Sequence, residues 1–97
     1  MPEVKLLVFD IDEEKYGIEL DIVQQVVEVP EIMPVPETPD CILGVTNVRG
    51  EILPVMDIKK RLNLGFSNIT AKSKLIITYC GENKIAFLSE EIPAVIT

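Results

Sequence analysis

The chain has 97 residues, 47% of them hydrophobic, with a formal net charge of −7 and a pI of about 4.5. Its length predicts one domain with a thin core, because a small domain buries only about two thirds of the surface that its unfolded chain exposes. The negative charge repels phosphate backbones and anionic lipids, which argues against nucleic-acid and membrane-surface binding.

The polar and targeting features of the sequence predict a cytoplasmic protein without a cofactor. No apolar run approaches the ~20 residues of a membrane-spanning helix, and the N-terminus lacks the basic leader and cleavage site of a signal peptide. Cys41 and Cys80 are far apart beside apolar neighbours, which predicts buried, reduced thiols. The sequence has no histidine, so the usual general base and most zinc and haem sites are not expected.

The N-terminal third predicts three strands. Residues 4–11 are almost continuously apolar, which predicts a strand covered on both faces, and residues 16–20 alternate as a half-buried strand does. The polar residues 12–15 join these strands in a first hairpin. We expect a short turn at residues 20–22 and then a strand over 23–29, because β-branched valines favour a strand over a helix.

Prolines mark where regular structure is interrupted. Four of them fall within residues 30–39, which predicts an extended, irregular segment, because proline lacks an N–H and restricts the residue before it. Residues 40–43 are compatible with one helical turn before Gly44. Pro54 lies inside a later apolar strand, so that strand is expected to be an edge, or to be bulged, at this point.

The most informative stretch is a predicted hairpin in which the strands GVTNV and EILPVMD flank Arg49 and Gly50. Gly50 can take the positive φ that a two-residue turn needs at its second central position. Asn47 and Arg49 lie two residues apart and share a face if the strand runs regularly. The fixed fork of a guanidinium suits a partner's carboxylates or carbonyls. The alternative is a solvated hairpin tip with an ordinary surface arginine.

The C-terminal half predicts one short helix and a second pair of strands. Asp57 is the expected N-cap, Ile58 and Leu62 stack at i, i+4, and Gly65 ends the helix. The three cations at residues 59–61 suit its C-terminal end, which favours a structural role over a nucleic-acid patch.

Beyond this helix, residues 66–73 are an expected loop. Residues 74–80 and 84–88 are predicted strands joined by a turn, and residues 92–96 begin another strand or docking segment. Short strands separated by turn signals predict an all-β fold built from a small barrel.

The run LLVFDIDEE offers an enzymatic alternative. An apolar strand ending in Asp10 and Asp12 resembles the first motif of haloacid-dehalogenase-type phosphatases, in which the two carboxylates act as nucleophile and general acid beside magnesium. The sequence departs from that motif at Glu14, and a strand rather than a helix is expected to follow. A hairpin turn is the better interpretation. Acidic pairs elsewhere lack regular ligand spacing, so no metal site is expected.

In order along nearly the whole chain, the sequence resembles the CheW-like family, the coupling proteins of bacterial chemotaxis. The motifs that carry the resemblance are YGI at residues 16–18, VQQV at 23–26, PVPETP at 34–39 and ILGVTNVRGEILPVMDIKKRLNL from residue 42. The resemblance implies two linked SH3-like barrels without enzymatic activity. It also implies an adaptor that links the cytoplasmic tip of a methyl-accepting chemoreceptor to the regulatory domain of the CheA histidine kinase.

The resemblance also implies two sets of binding residues. The expected receptor-binding residues are Asn47, Arg49, Gly50, Val23 and Gln25, and the last of these stands where many relatives have an acidic residue. The expected kinase-binding residues are Ile85, Phe87 and Leu88.

The family pattern continues past the length of this sequence, so a CheW-like domain over residues 1–97 is expected to have an incomplete second half. Unpaired strand edges recruit partners, which predicts self-association, for example by strand exchange between copies. A self-assembling regulatory β module of a two-component system is therefore the alternative function.

Overall fold

A computed structural model describes residues 4–96. It contains eight strands, and the predicted all-β fold class is confirmed: β1 Leu6–Ile11, β2 Glu14–Glu19, β3 Val23–Glu28, β4 Ile42–Val48, β5 Glu51–Asp57, β6 Lys74–Cys80, β7 Asn83–Ser89 and β8 Ala94–Ile96. A 3-10 turn, Leu20–Ile22, precedes β3, and one short helix, α1 Ile58–Arg61, follows β5. Within the described residues, no helix has the length and apolar character needed to cross a bilayer.

The strands form a three-stranded sheet in the order β2-β1-β8 and a five-stranded sheet in the order β3-β6-β7-β5-β4. Neighbouring strands are antiparallel except β5 and β7, which run in the same direction. A parallel pair requires a crossover, which here consists of α1, the loop that follows it and β6. The strand predicted over residues 23–29, the turn before it and the strand near residues 92–96 are confirmed.

Two apolar clusters form the core and share strands β6 and β7. The first lies inside the five-stranded sheet and consists of Val48, Leu53, Val55, Leu75, Ile77, Ala86 and Leu88. The second lies between the two sheets and consists of Leu7, Phe9, Ile11 and Ile76, with partly buried neighbours that include Phe87 and Ile58. Two clusters fit the two linked SH3-like barrels that the resemblance implies, and the structure shows that strands β6 and β7 contribute to both.

The strand with two covered faces is β6 rather than β1. Residues 75–78 of β6 are all buried, because odd positions face the first cluster while Ile76 faces the second. In β1 the buried residues alternate with less buried ones, and Asp10 is exposed. The prediction of a doubly covered first strand is therefore wrong, because only one neighbouring layer packs tightly on β1.

The proline-rich segment closes the five-stranded sheet. Met33 pairs with Val45 of β4 through two backbone hydrogen bonds of 2.8 and 2.9 Å. Thr46 is fully buried, and its hydroxyl donates to the carbonyl of Glu31 at 2.7 Å. Strands β3 and β4 are the two edges of the sheet. The segment that leaves β3 is thus held against β4, and this contact connects the two edges.

Three other predictions can be compared with the structure. The helical turn predicted for residues 40–43 is wrong, because β4 already begins at Ile42. Pro54 pairs with β4 on one side, whereas the pairing of β5 with β7 begins only at Val55. Pro54 is therefore an edge position on the β7 side, as predicted, and no paired strand there needs the N–H that proline lacks. Both cysteines are free, yet Cys41 is only half-buried and Cys80 is exposed. The prediction of buried thiols is wrong for Cys80, which lies at the end of β6 beside a turn.

Candidate protein-docking surfaces

The hairpin between β4 and β5 has the predicted two-residue turn. Arg49 has φ 51° and Gly50 has φ 88°, so both central residues adopt the left-handed conformation of a type I′ turn. The side-chain oxygen of Asn47 accepts a hydrogen bond of 2.9 Å from the backbone N–H of Gly50. This contact supports the conformation of the turn from within.

Arg49 and Asn47 do not share a strand face as predicted. Asn47 lies within β4, whereas Arg49 lies in the turn, where the left-handed backbone interrupts the alternation of the strand. Arg49 is exposed, and no carboxylate of residues 4–96 lies within 4.0 Å of its guanidinium. The structure thus separates the two roles: Asn47 supports the turn, and Arg49 presents a positive charge at its tip.

A shallow pocket adjoins this hairpin. Its volume is about 310 Å³, and its lining consists of Pro30, Glu31, Met33 and Asn47. Met33 is exposed even though its backbone is fixed against β4. The pocket therefore combines a rigid wall with an adaptable thioether side chain, a combination suited to apolar side chains of varied shape.

The other predicted receptor residues lie at the same end of the five-stranded sheet. The directions of the paired strands across the sheet, from β4 through β5, β7 and β6 to β3, place the start of β3 at the end of the sheet that carries the Arg49 turn. Val23 is half-buried against the second cluster, and Gln25 is half-buried on the edge strand. The pairing with β6 changes register between these two residues, so the strand edge is irregular there.

The three predicted kinase residues differ in exposure. Leu88 is 2% exposed and belongs to the first cluster, so it is removed from the predicted kinase surface. Phe87 packs against the second cluster and is partly accessible. Ile85 is half-buried and lines a groove of about 540 Å³ between the β4–β5 and β6–β7 hairpins, together with the exposed Ile52. Lys84 spans this groove and contacts both carboxylate oxygens of Glu51 at 2.8 and 2.9 Å.

The aspartates of the phosphatase-like run are held in ion pairs with lysines. The ammonium group of Lys15 lies 3.0 Å from Asp10, and that of Lys59 lies 3.0 Å from Asp12 and 3.4 Å from Glu90. The hydrogen bond with Asp12 raises the pKa of Lys59, desolvation opposes this shift, and the charge of Glu90 adds to it. Lys59 therefore links the first hairpin to the chain that follows β7.

The structure confirms the prediction that a strand, rather than a helix, follows the run LLVFDIDEE. The turn after Asp12 leads into strand β2, as the sequence predicts, and not into a helix. Across residues 4–96, no group of three or more His, Cys, Asp or Glu side chains is arranged to hold a metal ion.

Sequence reasoning missed three contacts that shape these surfaces. They are the packing of the proline-rich segment against β4 at Gly44 and Thr46, the hydrogen bond between the Asn47 side chain and Gly50, and the ion pairs of Lys59. A glycine inside a strand often marks a close backbone approach, so Gly44 carried a usable signal. Asn47 lies three residues before a glycine in a tight turn, which is also a recognisable side-chain-to-backbone pattern. The Lys59 link joins residues distant in sequence, and no local pattern indicates it.

Comparisons with known proteins agree with this architecture. Residues 5–97 match the family model described as the CheW-like domain. The chain is 31% identical to the chemotaxis protein CheW of Thermotoga maritima over 99% of its length, and 32% identical to CheW of Bacillus subtilis over 96%. It is also 32% identical to protein FrzA of Myxococcus xanthus over 82% of its length.

A solved structure has the same fold. The crystal structure of the scaffolding protein TtCheW from Thermoanaerobacter tengcongensis superimposes with a TM-score of 0.88 at 36% identity and covers 99% of this chain. The chain spans 63% of that structure, and 63% and 60% of the Thermotoga and Bacillus proteins. The family model, the curated relatives and the structural match together show that the chain belongs to the CheW-like family.

Proposed function

We propose that this chain is a non-enzymatic adaptor of chemotaxis signalling that works in the cytoplasm and links chemoreceptor tips to the regulatory domain of a CheA-type histidine kinase. The observation that carries this proposal is the β4–β5 tip, a hydrogen-bonded turn whose arginine has no carboxylate partner among residues 4–96 and which adjoins the Met33 pocket. The relatives support it, since they are named as chemotaxis proteins and one is described as a scaffolding protein.

The receptor side of the proposal rests on the tip and its pocket. A helical receptor tip can place an apolar side chain against Met33 and Pro30, while the guanidinium of Arg49 takes a carboxylate or backbone carbonyl. The hydrogen bond between Asn47 and Gly50 supports the backbone turn that carries Arg49. Val23 and Gln25 extend the surface along the sheet edge at the same end. A stable contact of this kind buries about 800 Å² per partner.

The kinase side of the proposal rests on the groove between the two hairpins. Ile85 and the exposed Ile52 supply apolar contact, with the partly accessible Phe87 further along β7. This groove and the Arg49 turn lie at one end of the same sheet. One small domain can therefore hold two partners close to each other without a catalytic group.

Replacing Arg49 with glutamate is expected to raise the dissociation constant for a receptor signalling fragment about tenfold or more, because the free guanidinium becomes a like charge to acidic partner groups. The melting temperature is expected to change little, since Arg49 is exposed and forms no ion pair with another residue of the described range 4–96. A pull-down or fluorescence titration measures the change.

The charge-matched control for this variant is Lys72→Glu, on the exposed loop before β6. It is expected to leave receptor binding unchanged. Equal binding by Arg49→Glu and Lys72→Glu would mean that Arg49 is merely an exposed turn residue.

A second candidate function, self-assembly, is favoured by one observation. Strand β8 is an edge of the three-stranded sheet, pairs with β1 alone among the described residues, and exposes Val95 and Ile96. We propose that copies pair through this edge, because open apolar strand edges recruit further strands. Sedimentation equilibrium at tens of micromolar is expected to give a mass above that of one chain, and Val95→Lys is expected to reduce it. A monomer for the unaltered chain would contradict this proposal.

A further inference from the structure

The loop after α1 is irregular but firmly anchored. The fully buried carboxylate of Asp57 accepts hydrogen bonds from the backbone N–H and the hydroxyl of Ser67 at 2.8 and 2.6 Å. The N–H of Leu64 donates to the carbonyl of Lys59 at 2.9 Å, which folds the chain back onto the first turn of the helix. The conformation of residues 60–66 is therefore set before any partner arrives.

This anchored segment exposes large apolar side chains. Phe66 is 62% exposed, and Leu62 and Leu64 are exposed as well. Single exposed apolar residues are ordinary, but three within five consecutive residues on a tightly folded turn form a concentration that marks interaction surfaces. Because the backbone is already ordered, a partner that covers these side chains spends little free energy on ordering the loop.

The same segment carries positive charge that its surroundings do not neutralise. The ammonium group of Lys60 lies 4.4 Å from the centre of the Phe66 ring. Within residues 4–96, no carboxylate lies within 4.0 Å of the cationic groups of Lys60 or Arg61, whereas the neighbouring Lys59 is paired twice. This local charge stands out on a chain whose net charge is −7.

We propose that the α1 corner, defined as Lys60, Arg61, Leu62, Leu64 and Phe66, is a docking surface for an acidic amphipathic segment of another protein. The partner's apolar side chains would cover the leucines and Phe66, and its carboxylates would pair with the two cations. An anionic bilayer fits less well, because its extended surface meets a wide area of a chain whose net charge is −7, whereas a short acidic segment meets mainly the local cations.

The α1 corner is separate from the surfaces of the proposed adaptor function. Strand β5 begins at the Arg49 turn and ends at Asp57, so the corner lies at the opposite end of the five-stranded sheet. An adaptor with partners at the Arg49 end therefore has this corner free for a third protein. The inference rests on residues 57–67 and stands whether or not the chain binds receptor and kinase.

The test uses a fluorescein-labelled peptide with leucine at the a and d heptad positions and glutamate or glutamine elsewhere. We expect saturable binding to the whole chain, with amide shifts in NMR spectra concentrated at residues 60–66. Phe66→Ser and the double variant Lys60→Glu, Arg61→Glu are each expected to raise the dissociation constant about tenfold or more, equivalent to about 1.4 kcal/mol. All three side chains are outside the core, so the fold is expected to persist.

Matched controls decide the outcome. Tyr79→Ser removes another exposed aromatic residue that lies under a lysine, and Lys72→Glu reverses another exposed charge. Both are expected to leave peptide binding within about twofold, as is Arg49→Glu, which separates this site from the receptor surface. Absence of peptide binding, or equal weakening by the controls, would overturn the proposal. A different result would assign the corner to membranes: the unaltered chain binds phosphatidylserine vesicles but not the peptide, and the corner variants lose vesicle binding.

Discussion

Replacing Gly44 with alanine is expected to lower the free energy of unfolding by about 3 kcal/mol or more. A Cβ atom at this position would lie 2.1 Å from the backbone carbonyl oxygen of Met33, and Gly44 has φ +150°. The clash is with backbone, so it cannot be relieved by a side-chain rotation. The proline segment must move away from β4, and the five-stranded sheet opens where its two edges are joined.

Urea denaturation of the variant and of Gly17→Ala measures this effect. Gly17 is the matched control, because a Cβ there would only touch the flexible side chain of Leu6 at an ordinary 3.4 Å. The Met33 pocket beside the hairpin is expected to be disturbed in the Gly44 variant alone, so receptor binding should fall with stability. A loss of stability no greater than that of Gly17→Ala would show that the segment is not clamped against β4.

Replacing Asp57 with alanine is expected to lower the free energy of unfolding by about 3 kcal/mol or more. The carboxylate is fully buried and accepts four hydrogen bonds, from the N–H groups of Lys59 and Lys60 and from the N–H and hydroxyl of Ser67. Alanine leaves these donors without their acceptor and removes the N-cap of α1. The loop that Asp57 anchors should become more mobile, which hydrogen exchange at residues 59–67 can detect.

Two companion variants separate the parts of this network. Ser67→Ala removes one donor and is expected to cost about 1 kcal/mol, because the carboxylate keeps its other contacts. Asp57→Asn keeps an acceptor oxygen and is expected to fall between the serine and alanine variants. If Asp57→Ala proves no worse than Ser67→Ala, the buried carboxylate does not organise the α1 corner.

Features set by local chemistry were predictable from the sequence. Gly50 at the second turn position, Asp57 ahead of a short helix and the valines after Ile22 each indicate their own conformation without reference to the remainder of the chain. The N-x-R-G stretch likewise identified the exposed turn arginine. Turn and capping preferences act over a few residues, so a single sequence is enough to read them.

Features set by packing between distant elements were not predictable in this way. The runs in β1 and β6 are both almost continuously apolar, yet only β6 lies between two layers. In β7 the alternation of Ile85, Ala86, Phe87 and Leu88 does not reveal which face meets which core. Leu88 was therefore assigned to a partner surface although it is buried. The clamp at Gly44 depends on Met33, which no local pattern brings against it.

The central claim is that this domain works by presenting surfaces to other proteins. Isothermal titration of the whole chain with the regulatory domain of a CheA-type histidine kinase tests it most directly. The account predicts saturable, stoichiometric binding that Ile52→Glu in the hairpin groove weakens and that Lys72→Glu leaves unchanged. An absence of heat and of any co-migrating complex, at concentrations where the chain remains folded, would contradict it.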